Sequence, residues 1–334
     1  MPGMQNLSGG DLIVVTGGAG FIGSHIARHL AGRGLRVVIS DLFGSGDKWR
    51  NIASAQLYDL IRPDLLSEWL ERHNGKVAVI VHMAAISSTT ETDIDRFVAH
   101  NIRLTLDLWE WCAANATRFI YASSAATYGD GSAGFNDDQS PAALGALRPL
   151  NAYGWSKHFV DRRVAEDVLL RRPSPPQWAG LKFFNVYGPN EAHKGDMQSV
   201  IAKVYPIVEA GDAVTLFKSH NPAYQDGGQL RDFVYVKDCV ATVGWLLQNP
   251  NVTGLFNVGS GAARSFLDLV DAVGAAVGRP PKVRFVDTPA ELRDKYQYFT
   301  QADITKLRAA GFDQPFHSLE EGVRDFVQFL RRAE

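Results

Sequence analysis

Asp11-Leu-Ile-Val-Val-Thr16 runs without a break into Gly17-Gly-Ala-Gly20-Phe-Ile-Gly23. A short β-branched apolar run reads as a buried strand, and the glycines after it read as a turn that opens a helix. That order makes a phosphate cradle. Gly17 permits the tight turn, Gly20 lets backbone approach a pyrophosphate, and Gly23 lets the helix pack on the strand, with Phe21 and Ile22 on the same cradle. A glycine turn that holds no ligand is the bland alternative, and the strand-turn-helix context argues against it.

Working outward, residues 35–40 form a second apolar run ending in Asp41, roughly 20 residues beyond the turn, where a carboxylate meets an adenosine ribose. Leu42 follows it. Lys48 is placed either to neutralise a 2'-phosphate, which means NADP, or to sit solvated in a loop, which leaves NAD; both stay open here. Asp59-Leu60 reads equally as an adenine contact or an ordinary turn. Val77–His82 has the continuous apolar character of a parallel strand covered on both faces, and Met83-Ala84-Ala85, with Ser87 beyond, puts small side chains where a strand end passes a dinucleotide. A helix over 93–114 carries Asn101. A strand over 118–123 delivers Ser123-Ser124-Ala-Ala-Thr-Tyr-Gly129 at its carboxyl end, where ligands bind in open parallel sheets. A helix from 153 to about 170, a strand over 181–184 and a loop over 185–196 complete the alternation.

This rhythm predicts a Rossmann-type α/β fold, a doubly wound parallel sheet, with a smaller mixed α/β substrate lobe. Beyond 186 the rhythm changes to strands over 212–217, 231–236 and 255–258 and helices over 196–210, 237–248 and 264–277, with a Pro- and Gly-containing loop over 219–229. The expected division is residues 1–186 plus about 231–260 for the dinucleotide, and about 187–230 plus 261–334 for the substrate.

Asn151-Ala-Tyr153-Gly-Trp-Ser-Lys157 carries the chemistry. On a helix, i, i+4 spacing puts the Tyr153 and Lys157 side chains on one face. A phenol with a reference pKa of about 10 is a poor acid-base group near neutrality, and a neighbouring ammonium is expected to lower it. Ser124 supplies a hydroxyl for a substrate oxygen.

Composition narrows the partner. The 334 residues carry 34 basic and 36 acidic side chains, a balance that does not favour nucleic acid. Two cysteines, Cys112 and Cys239, are too few for a disulfide framework or a thiolate metal site, which suits a reducing cytoplasm. The first ten residues lack the pattern of a signal peptide, and no apolar stretch approaches the ~20 residues that span a bilayer, so no membrane partner is expected. His25 and His29 have metal-pair spacing but no third ligand; they are expected on the exposed side of the first helix, and no metal is predicted. Trp109 and Trp111 read as core or interface, and Arg171-Arg172 and Arg331-Arg332 as helix ends.

With these residues in hand, the chain resembles the extended short-chain dehydrogenase/reductase superfamily that modifies nucleotide-diphosphate sugars, and within it the family of ADP-heptose 6-epimerases. The resemblance is carried by Ser88-Thr-Thr-Glu91, Ser123 to Gly129, Pro149 to Gly154, Phe184 to Pro189 with His193-Lys194-Gly195, Arg231-Asp-Phe-Val-Tyr-Val236, and Tyr296 to Asp303. It implies two acid-base residues, Tyr153 and Lys194, supported by Ser124 and Lys157. It also implies NADP, with NAD possible, held by Gly17 to Gly23, Asp41, Leu42, Lys48, Met83 to Ala85, Ser87, Asn101, Tyr153, Lys157 and Val186. The implied reaction oxidises and re-reduces C6 of an ADP-heptose, and the implied substrate contacts are Ser124, Asn185, Lys194, Asp196, Lys203, Phe217, Lys218, Arg231 and Tyr296. Lys194 as a phosphate-holding loop lysine is the other reading. A homo-oligomer is implied, a pentamer being one form. The chain departs from the pattern at Asn190 (usually Arg), Asp196 (Ser), Lys203 (His) and Leu42 (Asn), and in an insertion over 222–229.

Three competing functions fit these residues less well. A UDP- or GDP-sugar 4-epimerase manages with one tyrosine and has no need of Lys194. A dehydratase needs an acid and a base where this chain has Ala125-Ala126, and a non-catalytic dinucleotide sensor has no need of Ser124, Tyr153, Lys157 and Lys194 together.

Overall fold

The computed structural model describes residues 7–89, 91–289, 293 and 297–333. Strand β1 (Leu12–Thr16) is buried at every residue because helices cover both faces of the sheet. It lies between β2 (Arg36–Ser40) and β4 (Val77–His82), with Val14 paired to Val38 and Ile80. β3 (Asp59–Ile61), β5 (Arg118–Ser124), β6 (Trp178–Phe183) and β10 (Gly254–Val258) extend it to seven strands in the order β10-β6-β5-β4-β1-β2-β3, and every pairing is parallel. The strand order reverses between β1 and β4, so the crevice lies outside their carboxyl ends. The glycine turn after β1 and the segment after β4 become its two lips.

Helix α1 (Phe21–Gly32) starts directly after Gly20, which is its cap residue. It is followed by α2 (Leu66–Arg72), α3 (Ile94–Phe97), α4 (Leu104–Ala114), α5 (Pro141–Ala146) and α6 (Ala152–Leu169). Past β6 the chain builds a second layer. β7 (Asn185–Tyr187), β9 (Leu230–Tyr235) and β11 (Ala263–Ser265) form a three-stranded sheet, and β8 (Ala213–Phe217) pairs with β12 (Lys282–Val286). Around them α7 (Val200–Ala210), α9 (Phe266–Val277) and the helix Leu319–Ala333 close a separate apolar cluster that includes Tyr205, Phe233, Val273 and Phe326. α8 (Val236–Gln248) packs on α1. Phe21 joins this second cluster, tying the glycine turn to the lobe beyond it.

Several sequence expectations are corrected. The helix over 93–114 is interrupted: Val98–Arg103 is a π-helical turn between α3 and α4, and Asn101 sits on it. The helix over 196–210 starts only at Val200, because the Ser199 side chain caps it by accepting from the Ala202 N–H. Before it lies a 3₁₀ segment, Ala192–Met197, kinked at Gly195 with φ of +52°. The strand expected over 181–184 starts earlier, at Trp178, and ends at Phe183. Asp59-Leu60 is neither a turn nor on the cleft; it lies in edge strand β3, where Asp59 accepts from the Trp69 indole at 3.2 Å. His25 is half-buried rather than exposed, because its Nε2 donates to the Pro189 carbonyl at 2.9 Å. Trp109 is core, whereas Trp111 is partly buried and donates to Glu71.

A buried ion pair holds α6 on the sheet. Asp161 and Lys182, both wholly inaccessible, meet at 2.7 Å. Asp161 also accepts from Tyr121 at 2.9 Å and Ser123 at 2.7 Å, and Lys182 donates to Thr127 at 2.7 Å. With its partner removed, the remaining charge would be buried and uncompensated. Lys182→Met is therefore expected to lower unfolding free energy by about 3–5 kcal/mol in urea titrations. Lys182→Arg, which keeps the charge, should lose less.

Candidate active site

One cleft of about 500 Å³ crosses the carboxyl edge of the sheet between the two lips. At one end it is lined by Ser40, Asp41, Leu42, Lys48, Pro63 and Leu66, in the middle by Gly17 and Gly20 to Gly23, and at the other by Ser124, Tyr153, Lys157, Val186 and Lys194. Met83 to Ser87 form the opposite wall. It is an elongated site with a carboxylate at one end and proton carriers at the other.

The cradle is shaped by missing side chains. A Cβ on Gly23 would fall 2.1 Å from the Gly17 carbonyl oxygen, and one on Gly17, whose φ is +65°, would fall 2.7 Å from the Ala84 nitrogen. Asp41 fixes the turn by accepting from the Ala19 N–H at 2.8 Å through Oδ2. Its Oδ1 accepts from the Leu42 N–H at 2.7 Å and from Lys48 Nζ at 2.5 Å. Ser40 Oγ is buried on the cleft wall without a partner. A cradle that no Cβ could enter, leading to an orphaned hydroxyl, fits a dinucleotide.

At the other end, local capping sets the proton carriers. Asn151 caps α6 by accepting from the Gly154 N–H at 2.8 Å, and a Cβ on Gly154 would fall 2.5 Å from the Ala126 carbonyl oxygen. Only glycine lets the helix start so close to the turn after β5, which puts the Tyr153 phenol in hydrogen-bond contact with Ser124. Lys157, one turn on, donates to the Ala122 carbonyl at 2.8 Å. The expected lowering of the Tyr153 pKa is not found. Burial pushes the phenol up, the Ser124 bond opposes this in part, and the negative Asp161 adds to the rise; the Lys157 ammonium is turned to the Ala122 carbonyl instead. Burial lowers Lys157 itself to about 8. Lys194 is half-buried, with its ammonium 5.1 Å from the centre of the Phe21 ring. Burial lowers its pKa, with Glu191 pulling upward and Lys203 downward.

Of the residues expected from sequence on the cofactor, all but Asn101 line this cleft. Asn101 is buried and spends its amide on the Ile86 backbone, at 2.8 and 3.0 Å, and on Ser156 Oγ at 3.0 Å; it shapes the wall from behind. Among the described residues, the expected substrate contacts other than Ser124 and Lys194 lie off the cleft. Asn185 and Asp196 are exposed, Lys203 donates to the Asp196 carbonyl at 2.6 Å, and Lys218 pairs with Asp287 at 3.0 Å. Phe217 is partly buried at the end of β8, and Arg231 is buried with its guanidinium 5.7 Å from the centre of the Phe266 ring. Tyr296 lies outside the described residues. Sequence reading missed Ser40, His193, Arg96 and His100 on the cleft, and Asn51, which donates to the Ala19 carbonyl at 2.9 Å and the Asn190 carbonyl at 3.3 Å. Only His193, beside Lys194, carried a signal in the sequence.

Residues 13–259 match the model of the NAD dependent epimerase/dehydratase family. A relative from Nitratidesulfovibrio vulgaris named ADP-L-glycero-D-manno-heptose-6-epimerase is 46% identical over 327 residues, covering 97% of this chain and 99% of the relative. Among solved structures, the Helicobacter pylori ADP-L-glycero-D-manno-heptose-6-epimerase superposes with a TM-score of 0.78 at 29% identity, covering 97% of each chain. The Thermus thermophilus UDP-glucose 4-epimerase in complex with NAD gives 0.76 at 28% identity, covering 97% of this chain and all 100% of that one.

The Lys157 pKa has a measurable consequence for the dinucleotide-free protein. Its folded value of about 8 lies below the ordinary 10.5, so between these the unfolded chain binds the extra proton and stability rises with pH. The free-energy difference between wild type and Lys157→Met in denaturant titrations should therefore shift in favour of wild type from pH 8 to 10.5.

Proposed function

The chain belongs to the NAD dependent epimerase/dehydratase family, and from that premise we propose that it inverts C6 of ADP-D-glycero-β-D-manno-heptose to the L-glycero form through a transient 6-keto sugar. It is an isomerase that supplies heptose for the lipopolysaccharide core. The observation that carries the reading is that Lys194 shares one cleft with Tyr153, Ser124 and Lys157. An unactivated secondary carbinol cannot be inverted by deprotonation at carbon, whereas a ketone has no configuration there to preserve. A bound nicotinamide dinucleotide supplies the reversible hydride exchange at that carbon.

The chain's residues handle the protons and the orientation. Tyr153 serves the C6 oxygen in one presentation of the sugar and Lys194 in the other, while Ser124 orients that oxygen and Lys157, anchored on the Ala122 carbonyl, lines the cleft beside them. Arg231 is suited to the diphosphate because its fork gives two parallel hydrogen bonds; Asn185, Asp196, Lys203, Phe217, Lys218 and Tyr296 complete our assignment of the sugar-nucleotide side. That side comprises about 187–230 plus 261–334, and the dinucleotide side 1–186 plus about 231–260. No helix among the described residues is long and apolar enough to cross a membrane, and we place the protein in the cytoplasm as a homo-oligomer.

We infer NADP rather than NAD. Both oxygens of Asp41 are engaged, by Ala19, Leu42 and Lys48, which leaves the ribose 2' position beside an ammonium rather than an open acceptor. Lys48→Ala should weaken NADP at least about tenfold, the loss of one charge-assisted hydrogen bond, and leave NAD nearly unchanged in calorimetry. Tighter binding of NAD than NADP by wild type would overturn the inference.

The function itself is tested by incubating the protein with ADP-D-glycero-D-manno-heptose and following C6 configuration by NMR. Inversion is expected, with Tyr153→Phe and Lys194→Met each slowing it by about a hundredfold or more. Unchanged heptose beside a converted UDP-hexose would favour the 4-epimerase alternative. If Lys194→Met only weakened affinity, the lysine would be a phosphate holder.

A further inference from the structure

Lys194 stands on the connection between β7 and α7, where the regular structure is limited to the short, kinked 3₁₀ segment Ala192–Met197. Its course depends on left-handed backbone at Asn190, φ +70°, and Gly195, φ +52°. Asparagine is one of the few residues besides glycine that accepts this conformation readily. One side chain closes the connection on itself. Glu191, 2% exposed, accepts from the Ser199 N–H at 2.5 Å and the Ser199 hydroxyl at 2.6 Å, and reaches the Gly188 N–H at 3.5 Å. Its main-chain carbonyl accepts from the Lys194 N–H at 2.9 Å. Ser199 is also the cap of α7, so this one carboxylate joins the start of the connection to the helix at its end, with Lys194 between.

A carboxylate is costly to bury unless its acceptors are filled, and Glu191 is not on the cleft wall. Its expense goes into the shape of the connection. We propose that Glu191 is the positioning residue for Lys194, holding the two ends of the connection together so that the amine stays on the cleft beside Tyr153 and Ser124. The assignment rests on the reading of Lys194 as the second proton carrier. Tyr153 is held separately, by the Asn151 cap and by the Asp161 anchor on the same helix. Loosening Glu191 therefore impairs one direction of proton handling and spares the other. A residue needed only for folding would impair both.

The test compares the two C6 epimers as starting material in Glu191→Gln, by mixing each rapidly with the NADP-loaded protein and following the near-ultraviolet absorbance of the reduced dinucleotide. With one epimer the first phase should slow at least about tenfold, while with the other it stays within about twofold of wild type. In the same variant the Ser199 amide should exchange with solvent faster. Ser199→Ala, which keeps the backbone hydrogen bond to Glu191, should show the same asymmetry more weakly and provides the comparison if Glu191→Gln does not fold. Equal slowing with both epimers, or no slowing with either, overturns the proposal. Wild type that leaves both epimers unconverted by NMR and gives no absorbance change with either sinks the epimerase reading, and this inference with it.

Discussion

The carboxylate of Asp161 is the point at which the working end of this molecule is held. It is wholly buried and accepts from Tyr121 and Ser123 on β5 and from Lys182 on β6. Asp161 lies one turn beyond Lys157 and two beyond Tyr153 on α6, so the same bonds that dock the helix fix where its catalytic face points. A buried pair of this kind contributes little net stability against an apolar substitute, yet removing one partner is severe. Its value lies in the single arrangement it enforces. Ser124 follows Ser123 on the strand, and the Tyr153 phenol arrives beside it because Gly154 leaves room for the Ala126 carbonyl.

The same field shapes the titration of the site. Burial and the negative Asp161 hold the Tyr153 phenol above its ordinary pKa, while burial draws Lys157 and Lys194 down. The phenol and the two amines, nearly matched at their ordinary values of 10.0 and 10.5, are thereby driven apart on the pH scale. A general acid-base group works best with a pKa near the operating pH, and it is the amines that burial moves in that direction.

The first half of the chain was the most legible in the sequence, because a parallel sheet covered on both faces writes continuous apolar runs and its glycine turn has a fixed grammar. β1, β2 and β4 were read to within a residue for that reason. What failed was governed by contacts remote in sequence. No periodicity reveals that Asn101 will turn its amide to Ile86 and Ser156, and the resulting π-helical turn is invisible in composition. The start of α7 was misplaced because Ser199, an ordinary-looking serine, becomes a cap only when Glu191 is buried beside it. Tyr153, Lys157 and Ser124 were readable as motifs, but the sign of the phenol's shift was not, since it depends on burial rather than on spacing.

The connection that carries Lys194 also lies across the phosphate cradle. His25 on α1 grips the Pro189 carbonyl, Asn190 reaches Ser24 on the same helix at 3.1 Å, and Asn51 ties the Ala19 and Asn190 carbonyls together. These ties brace the connection against α1 and the glycine turn, so the rim that carries Lys194 and the phosphate cradle form one piece. A catalyst that returns every electron pair it borrows has no need to exchange its dinucleotide between turnovers, and a rim built as one piece with the cradle suits it.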